Sequence, residues 1–494
     1  MFVQISLSCA FWGYVGIHLN TVTCIYKYII AYARVDLMTN ANIEMITGDP
    51  KRAIRTLAWP LIASMILIFI NNIIDSIWVA GLGPEPLAAL GYITPLFMVL
   101  VGFGNGIGAG ANSLISRYIG AKKKDEANNA AIHSAIMSVI ISIVISIVFL
   151  LSLETLLNIM GATSVIEYAM DYGTIIFSLT FVILMPPIFG GAFRAEGDIK
   201  RSTIPIAIAA IINMILDPIF IYTLGWGVKG AALATGLAPL MSLILILYWI
   251  FVKKDNYLSY DRKYFHHDLK MYKEILVVGI PASLEQLIMA ILTILVNYML
   301  TIVSGPIAVA IYTAGWRIIS LGLLPAIGVG TAAISVAGVA YGARKYENIK
   351  TATRYSAKLG LIASIIVCII LNVFATQIAF IFSYSEASSQ LEPLIASFMQ
   401  LMCLFILYVP FGASAGNVFQ GLGKGTTSFI LTTIRELILV LLFAYLLGFV
   451  FGMGETGIYY GMLLGGFIGS VVAYLYIELY INRLIKGKIE GSKI

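Results

Sequence analysis

The chain has 494 residues, of which 60% are hydrophobic and 11% charged, and its mean hydropathy is +0.94. This composition excludes an ordinary soluble globular protein and indicates a protein that crosses a membrane many times. The apolar runs reach about 20 residues or more and strand-length alternating segments are absent, which favours helices over an outer-membrane barrel. The predicted fold class is an all-α membrane protein. Its net charge of +6 reflects basic loops, so no nucleic-acid partner is implied.

Residues 1–46 form a predicted N-terminal extension. The stretch from Met1 to Tyr26 contains no Lys, Arg, Asp or Glu, yet no basic leading region or cleavage site marks it as a signal peptide. Met38 and Met45 follow it, so one interpretation is a mis-set translation start. The alternative is an additional peripheral or membrane helix.

Twelve apolar segments long enough to cross a bilayer follow the extension. They divide into two sets of six, separated by a polar linker predicted to be cytoplasmic. The predicted domains are an N-terminal lobe at 47–252, the linker at 253–273, a C-terminal lobe at 274–483 and a cytoplasmic tail at 484–494. The predicted spans lie near residues 55–81, 87–112, 130–153, 165–193, 202–225, 228–252, 275–303, 307–338, 355–378, 391–419, 427–452 and 456–482.

The two halves carry matching motifs, which indicates an internal repeat. Trp59-Pro60 in the first span corresponds to Ile280-Pro281 in the seventh, and GGAFRAEG at 190–197 corresponds to GNVFQGLG at 416–423. Because each half crosses the membrane an even number of times, the two six-helix lobes run in the same direction. Transporters built from such repeats bind substrate near the midplane of the membrane and alternate the side from which it is reached.

Lysine and arginine concentrate in one set of loops, which marks the cytoplasmic side. The opposite loops carry almost only Lys229. The sequence therefore predicts a multi-pass protein of the cell membrane with both ends of the twelve-helix body in the cytoplasm. The basic set comprises Lys51, Arg52 and Arg55, then Arg117 and 122–124, 200–201, 253–273, 344–354 and 483–493.

Two aspartates lie well inside apolar spans, and each follows an asparagine by four residues. These are Asn71 with Asp75 and Asn213 with Asp217. Residues four apart share a helix face, so each helix can present an amide oxygen and a carboxylate to the same space. Because a carboxylate within a bilayer is costly, the pattern predicts a cation or proton site. A buried polar pair that only fastens two helices is the alternative.

The same atoms suit either of two coupling ions. Two neighbouring carboxylates in a dry site do not both ionise easily, which favours proton binding. Carboxylate and amide oxygens also suit a hard cation such as sodium. No cysteine or histidine spacing typical of a metal site and no catalytic motif is present in the sequence, so an enzyme is not predicted.

Several motifs in fixed order resemble a known family. Together they resemble multidrug and toxic compound extrusion transporters, the MATE family, and the acid in the first span indicates the DinF-like branch. The resemblance implies two six-helix lobes forming a V, and export of amphipathic or cationic organic compounds in exchange for protons or sodium ions. It implies no cofactor, and the lipid bilayer and small organic substrates as partners. A two-lobe chain of this length can form a complete transport path alone, so a monomer is expected. The motifs are TGDPKRAIRTLAWP, NNIIDSIWVAGLG, GANSLISRYIG, FRAEGDIKRS, NMILDPIFI, GVKGAALAT, GIPASLEQ and YGARK.

The resemblance also implies the members of the coupling site. Asp75 matches the family's first-helix aspartate, Asn213 and Asp217 match its fifth-helix pair, and Thr235 and Tyr172 match a threonine and a tyrosine of neighbouring helices. Sodium, if it is the coupling ion, would bind Asp75, Asn213, Asp217 and Thr235. Both aspartates, Thr235 and Tyr172 lie roughly 9 to 14 Å from the outer ends of their own spans at about 1.5 Å per residue, so the four are expected at one depth.

A second carboxylate and two arginines lie inside the other predicted lobe. Glu285 lies about 18 Å into the seventh span, and the resemblance makes it a second-lobe candidate for coupling. It can alternatively pair with Arg317 or Arg435 for a structural purpose. The same arginines lend support to an alternative function, a lipid-linked oligosaccharide flippase of a related superfamily branch, which needs a basic cavity. Pro60 is either a bend in the first span or only its start.

One position departs from the family pattern. The family has an asparagine late in the fourth helix, where this chain has Gly190-Gly191. The repeat-equivalent Asn417 is present in the C-terminal half. A polar contact of the first lobe is therefore expected to be missing or replaced.

Overall fold

The computed structural model describes residues 39–382 and 389–491. Most of the predicted extension therefore lies outside the described residues, including the stretch on which the question of the translation start depends. The end of the extension forms a short helix, α1 (Thr39–Thr47), which the sequence did not predict. Asn42–Ile494 form one structural unit, and all contacts below lie within it. The described residues contain helices and loops and no strand.

The first six spans are built from seven helices. A 3₁₀ turn at Ala162–Val165 precedes α5, and π turns at Ile219–Thr223 and Tyr248–Lys253 extend α7 and α8. The helices are α2 (Pro50–Ala80), α3 (Pro84–Gly120), α4 (Lys124–Ile159), α5 (Ile166–Ser178), α6 (Thr180–Ala195), α7 (Ile199–Pro218) and α8 (Gly227–Leu247).

The last six spans follow a linker that contains a 3₁₀ turn at Arg262–Tyr264. Another 3₁₀ turn, Ser389–Leu391, precedes α13. The eleventh span is one path made of α14, a π turn at Thr433–Leu439, α15 and a π turn at Leu446–Val450. The helices are α9 (Leu269–Ser304), α10 (Pro306–Gly342), α11 (Tyr346–Val373), α12 (Ala375–Phe382), α13 (Glu392–Gly421), α14 (Gly425–Thr432), α15 (Val440–Tyr445) and α16 (Gly454–Ile485).

The described residues contain eleven helical paths of membrane-spanning length, or twelve if one bent pair is counted as a single span. The bent pair lies at the predicted fourth span and consists of 162–178 and 180–195, which meet at an angle of 50°. The predicted bounds were too narrow because hydropathy falls where the polar loops begin, whereas the helices continue beyond that point. For example, α3 extends to Gly120 and α9 begins at Leu269. The predicted ninth span is interrupted at Phe374.

Helix α2 shows why the interpretation of Pro60 as a helix start is wrong. The carboxylate of Asp49 caps the helix, accepting hydrogen bonds from the backbone N–H groups of Lys51 at 3.1 Å and Arg52 at 3.3 Å. Pro50 occupies the first turn, where its missing N–H costs nothing. Pro60 therefore lies ten residues inside α2, where it removes a backbone hydrogen bond from the helix interior.

The two six-helix lobes meet through α2 and α3 of the first lobe and α9 and α10 of the second. Their closest approaches lie at the end of the bundle that carries the basic loops. Ser113 Oγ donates to the carbonyl oxygen of Gln420 at 2.5 Å, and Ser335 Oγ donates to Oδ1 of Asn112 at 3.0 Å. A Cβ atom at Gly120 would clash with the carbonyl oxygen of Val339. Only glycine permits this backbone approach, so the lobes are closed together at this end.

Candidate cation site

The contact between α2 and α7 brings the two predicted aspartates together. The carboxyl groups of Asp75 and Asp217 are direct neighbours. Asn71 Nδ2 donates to Oδ1 of Asn213 at 2.8 Å, and Asn213 Nδ2 donates to Oδ1 of Asp217 at 3.1 Å. An ordered chain of amides and carboxylates therefore crosses from one helix to the other.

Three oxygen atoms of this chain have no hydrogen-bond partner among the described residues. They are Oδ1 of Asp75, Oδ2 of Asp217 and Oδ1 of Asn71, and all three are buried. Buried polar atoms normally find a partner because leaving one without a hydrogen bond costs free energy. Two such carboxylate oxygens side by side are the groups that a shared proton or a bound cation would satisfy.

Tyr172 and Thr235 form a second layer of this site. The Tyr172 hydroxyl donates to Oγ1 of Thr235 at 3.4 Å. Tyr172 is buried in the apolar core of the first lobe, and both aspartates interact with it electrostatically. The structure thus brings the five sequence-predicted residues into one region. Asn71 also belongs to this region. Its position four residues before Asp75 was the sequence signal for it.

The end of α7 changes geometry directly after the site. Pro218 follows Asp217, and the chain then continues as the π turn Ile219–Thr223. Tyr222 in this turn donates a hydrogen bond to the carbonyl oxygen of Trp78 at 2.5 Å, so the outer end of α2 is fastened to the outer end of α7. π turns inside helices are frequent at functional sites.

The donor set fits a hard cation. The sequence predicted Asp75, Asn213, Asp217 and Thr235 as sodium ligands, but Oδ1 of Asn213 already accepts a hydrogen bond from Asn71. The amide oxygen without a partner among the described residues is that of Asn71. Carboxylate, amide and hydroxyl oxygens of this kind suit sodium better than a transition metal. In the described part of the chain, no group of three or more His, Cys, Asp or Glu side chains is placed to hold a metal. The same oxygens can also share a proton, so the geometry serves both coupling ions.

The second-lobe candidate Glu285 is held by neutral groups. Ser428 Oγ donates to Oε1 of Glu285 at 2.7 Å, and Gln420 Nε2 lies 3.4 and 3.3 Å from its two oxygens. Within the described residues Glu285 forms no ion pair with either arginine considered in the sequence analysis. Arg435 pairs instead with Glu436 at 2.8 Å. A structural salt bridge therefore does not account for the position of Glu285.

Close packing explains the glycines that replace the family asparagine. A Cβ atom at Gly191 would clash with the backbone carbonyl oxygen of Gly108 in α3, so no larger side chain fits there without separating the helices. The repeat-equivalent Asn417 donates to the carbonyl oxygen of Ala413 in its own helix at 2.8 Å. Gly191 thus permits a close backbone contact between α3 and α6.

The linker is anchored beneath the first lobe by buried polar side chains. Arg201 is fully buried and contacts Asp198 at 3.5 Å and also Asp255. Glu196 accepts a hydrogen bond from the backbone N–H of Leu258 at 3.0 Å. Burial, reinforced by the nearby Asp198, raises the pKa of Glu196 to about 8. Burial also raises the pKa of Asp198.

Comparison with known proteins identifies the family. The family model described as MatE matches residues 60–219 and 281–446, which together are more than half of the chain. The chain belongs to the MatE family. The two matched stretches lie in different lobes, which confirms the internal repeat of this MatE chain.

Known relatives of the MatE chain are transporters. Multidrug export protein MepA of Staphylococcus haemolyticus is 24% identical over 443 residues, which cover 88% of this chain and 95% of the relative. A crystal structure of MATE in complex with MaL6 has a TM-score of 0.87 and 37% identity, covering 90% of this chain and 99% of that chain. A MATE structure in the straight conformation is 36% identical, covers 90% of this chain and 99% of that chain, and has a TM-score of 0.87. A MATE structure in the bent conformation is also 36% identical, covers 90% of this chain and 98% of that chain, and has a TM-score of 0.86.

These comparisons place the chain among multi-pass membrane transporters of a multidrug export family, and not among enzymes. A multidrug transporter acts on small organic substrates at a membrane. None of the relatives named above is described as a lipid-linked oligosaccharide flippase, so that alternative is not favoured.

Proposed function

We propose that this MatE chain exports amphipathic or cationic organic compounds in exchange for protons or sodium ions, as a member of the DinF-like branch. The coupling ion binds between α2 and α7, with Asp75 and Asp217 as its principal ligands and Asn213, Thr235 and Tyr172 around them. The exchange uses no cofactor. The observation that carries the proposal is the pair of buried carboxylate oxygens that have no hydrogen-bond partner in the part of the chain that the structure describes.

Ion binding changes the charge of the site and so can select between two conformations. With both carboxylates ionised, their repulsion favours separation of α2 from α7, and a bound cation removes that repulsion. A ligand with different affinities for two states shifts their balance by that difference. Pro60 is the bend about which the outer part of α2 moves.

The present arrangement, with the lobes closed at the basic-loop end, corresponds to an outward-facing state. We place the basic loops in the cytoplasm on the positive-inside rule, so both ends of the twelve-helix body are cytoplasmic. The proposed domain limits are a lobe at 47–252, a linker at 253–273, a lobe at 274–483 and a tail at 484–494, although α9 already begins at Leu269 within the proposed linker. One chain contains a complete path, so the working unit is a monomer.

Glu285 provides a second coupling site in the C-terminal lobe. Its carboxylate is held by Ser428 and Gln420 rather than neutralised by an ion pair, so it remains able to accept a proton. Gln420 also connects this site to the closed end of the bundle, because its carbonyl oxygen receives the hydrogen bond of Ser113. Protonation of Glu285 is thereby coupled to the contact between the lobes.

The test is transport of a fluorescent organic cation, ethidium, by protein reconstituted in liposomes under an imposed proton gradient and then a sodium gradient. Wild-type protein is expected to transport in response to one of these gradients, and Asp217→Asn is expected to lose at least about tenfold of that rate because it removes a charge-assisted ligand. Asp171→Asn, at a half-buried aspartate paired with Lys229, is the matched control. The proposal would be refuted by an equal loss of transport rate in Asp217→Asn and Asp171→Asn, or by a wild-type transport rate that depends on neither gradient.

A further inference from the structure

A groove runs along α10 in the half of the second lobe away from the basic loops. Its volume is about 420 Å³, and most of its lining is apolar. The two polar side chains that face it are Thr313 and Arg317. The lining residues are Pro306, Val309, Ala310, Thr313, Ala314 and Arg317.

The groove faces the space between the lobes. Pro306, Arg317 and Gly328 follow one another at intervals of eleven residues, which is three helical turns plus about 20°, so they share one face of α10. At Gly328 this face packs against Ile62 of α2, in the other lobe. Above that contact the same face is exposed at Pro306, Ala310 and Arg317. Where the lobes separate, this face of α10 therefore forms a wall of the cleft.

Arg317 differs from other arginines of the membrane helices. Arg117 pairs with Glu274 at 3.2 Å and Arg435 pairs with Glu436 at 2.8 Å. Arg317 has no ion pair or hydrogen bond to any other residue that the structure describes. It lies about 16 Å from the outer end of α10, on the face of the helix that is exposed to the cleft. A guanidinium kept there without a partner indicates a ligand that supplies the opposite charge.

We propose that this groove binds amphipathic organic anions, with a carboxylate or phosphate head on Arg317 and an apolar body along Val309 and Ala310. A guanidinium presents a planar set of N–H donors that matches these heads. The proposal rests on the proposed export function. It extends the substrate range to organic anions, because Arg317 attracts an anionic head and repels a cationic one at this wall of the cleft. The occupant is a transported compound that enters the groove from the cleft.

The probe is 11-(dansylamino)undecanoate, with its neutral amide as the matched ligand of the same apolar body. Binding is measured by dansyl fluorescence with the full chain in phosphatidylcholine nanodiscs and no ion gradient. Wild-type protein is expected to bind the acid about tenfold more tightly than the amide. Arg317→Gln is expected to lose this preference while binding the amide within twofold of wild type, which also shows that the groove is formed. Arg317→Lys keeps part of the preference.

Three results would overturn the proposal. In the first, wild-type protein shows no preference for the acid. In the second, Arg317→Gln retains the preference for the acid, or the control variant Arg354→Gln loses that preference to the same extent. Arg354 is an exposed arginine paired with Glu478. In the third, adding phosphatidylglycerol to the nanodiscs abolishes acid binding in wild type, which would make the occupant a lipid headgroup. Because no gradient is applied, these results are independent of whether the transporter exchanges ions.

Discussion

Asp75 and Asp217 occupy equivalent places on their helices, because each follows an asparagine by one turn. This spacing lets Asn213 donate to Asp217 within one helix while Asn71 reaches across from the other. The amide N–H groups satisfy one carboxylate oxygen and leave others free for an ion. The site therefore combines a fixed framework with unsatisfied ligand atoms, which is the arrangement expected for reversible binding.

Asn71→Ala tests whether the bridging amide is part of the site. Removal of its hydrogen bond to Asn213 frees that amide and loosens Asp217, so gradient-driven ethidium transport is expected to fall by about tenfold. Asn72→Ala is the matched control, because Asn72 is adjacent but exposed and should remain within twofold of wild type. An effect of equal size in the two variants would show that Asn71 has no particular role.

At the residue scale the sequence selected the polar side chains that meet between α2 and α7, but not their hydrogen bonds. The four-residue spacing and the cost of membrane charge were sufficient to select Asp75 and Asp217. The direction of each amide and the oxygens left without partners depend on how α2 and α7 rotate against one another, and no local pattern specifies that rotation. The partners of Glu285 were not predictable for the same reason. Pairing with an arginine was one alternative from the sequence, whereas the structure shows contacts with Ser428 and Gln420.

The linker is an element whose behaviour composition did not predict. Its polar residues indicated only a cytoplasmic connection, whereas the structure anchors it at several backbone groups. Asn128 Oδ1 accepts from the N–H of Ser259 at 2.9 Å, and Asn129 Nδ2 donates to the carbonyl oxygen of His266 at 3.0 Å. Together with the Glu196 contact, these bonds fasten the linker to α4 and α6. Long-range bonds of this kind leave no periodic signal in a sequence.

Glu196→Gln tests the stability of this attachment as a function of pH. Burial raises the pKa of Glu196 from 4.5 to about 8, so between these values the folded protein retains a proton that the unfolded chain releases. The contribution of Glu196 to the free energy of unfolding is therefore fully present below pH 4.5 and is lost as pH rises through 8, at up to about 1.4 kcal/mol per unit. Glutamine at this position still has a side-chain oxygen that can accept the hydrogen bond from the backbone N–H of Leu258, but it has no carboxyl group to titrate.

The measurement is the thermal unfolding midpoint in detergent at pH 6 and pH 9. From the lower to the higher pH, the midpoint of wild type is expected to fall relative to that of Glu196→Gln. Glu154→Gln, at an exposed glutamate near the far end of α4, should follow the wild type. Parallel midpoints for wild type and Glu196→Gln would contradict the assignment.

At the scale of the whole molecule, close contacts between the lobes lie at the end that carries the basic loops. The repeat motifs predicted two lobes, and the two stretches matched by the family model together with the MATE structures confirm them. Neither composition nor motif predicts which end is closed, because the same interfaces must open and close during transport. The glycine contacts in α3 and α10 supply that information, since they allow backbone contact at the basic-loop end.

Gly120→Val tests this closed contact. The added side chain would clash with Val339, so the lobes are expected to separate at the basic-loop end. Gly91→Val is the matched control in the same helix, because nothing lies within 4 Å of a Cβ atom there. Spin labels at Lys123 and Lys345, in a background without cysteines, should report a longer mean distance in Gly120→Val only. Identical distances in both variants would show that this contact does not hold the lobes together.

We propose that substrate and coupling ion move across the membrane in opposite directions, with the ion bound at the site between α2 and α7. The most direct measurement imposes an ethidium gradient across proteoliposomes with no initial ion gradient and records movement of protons or sodium ions with dyes in the lumen. Wild-type protein is expected to drive one of these ions against the direction of ethidium movement, and Asp75→Asn and Asp217→Asn are expected to abolish that counterflow. Ethidium movement without any counterflow in wild type, or counterflow that survives in both variants, would contradict the account.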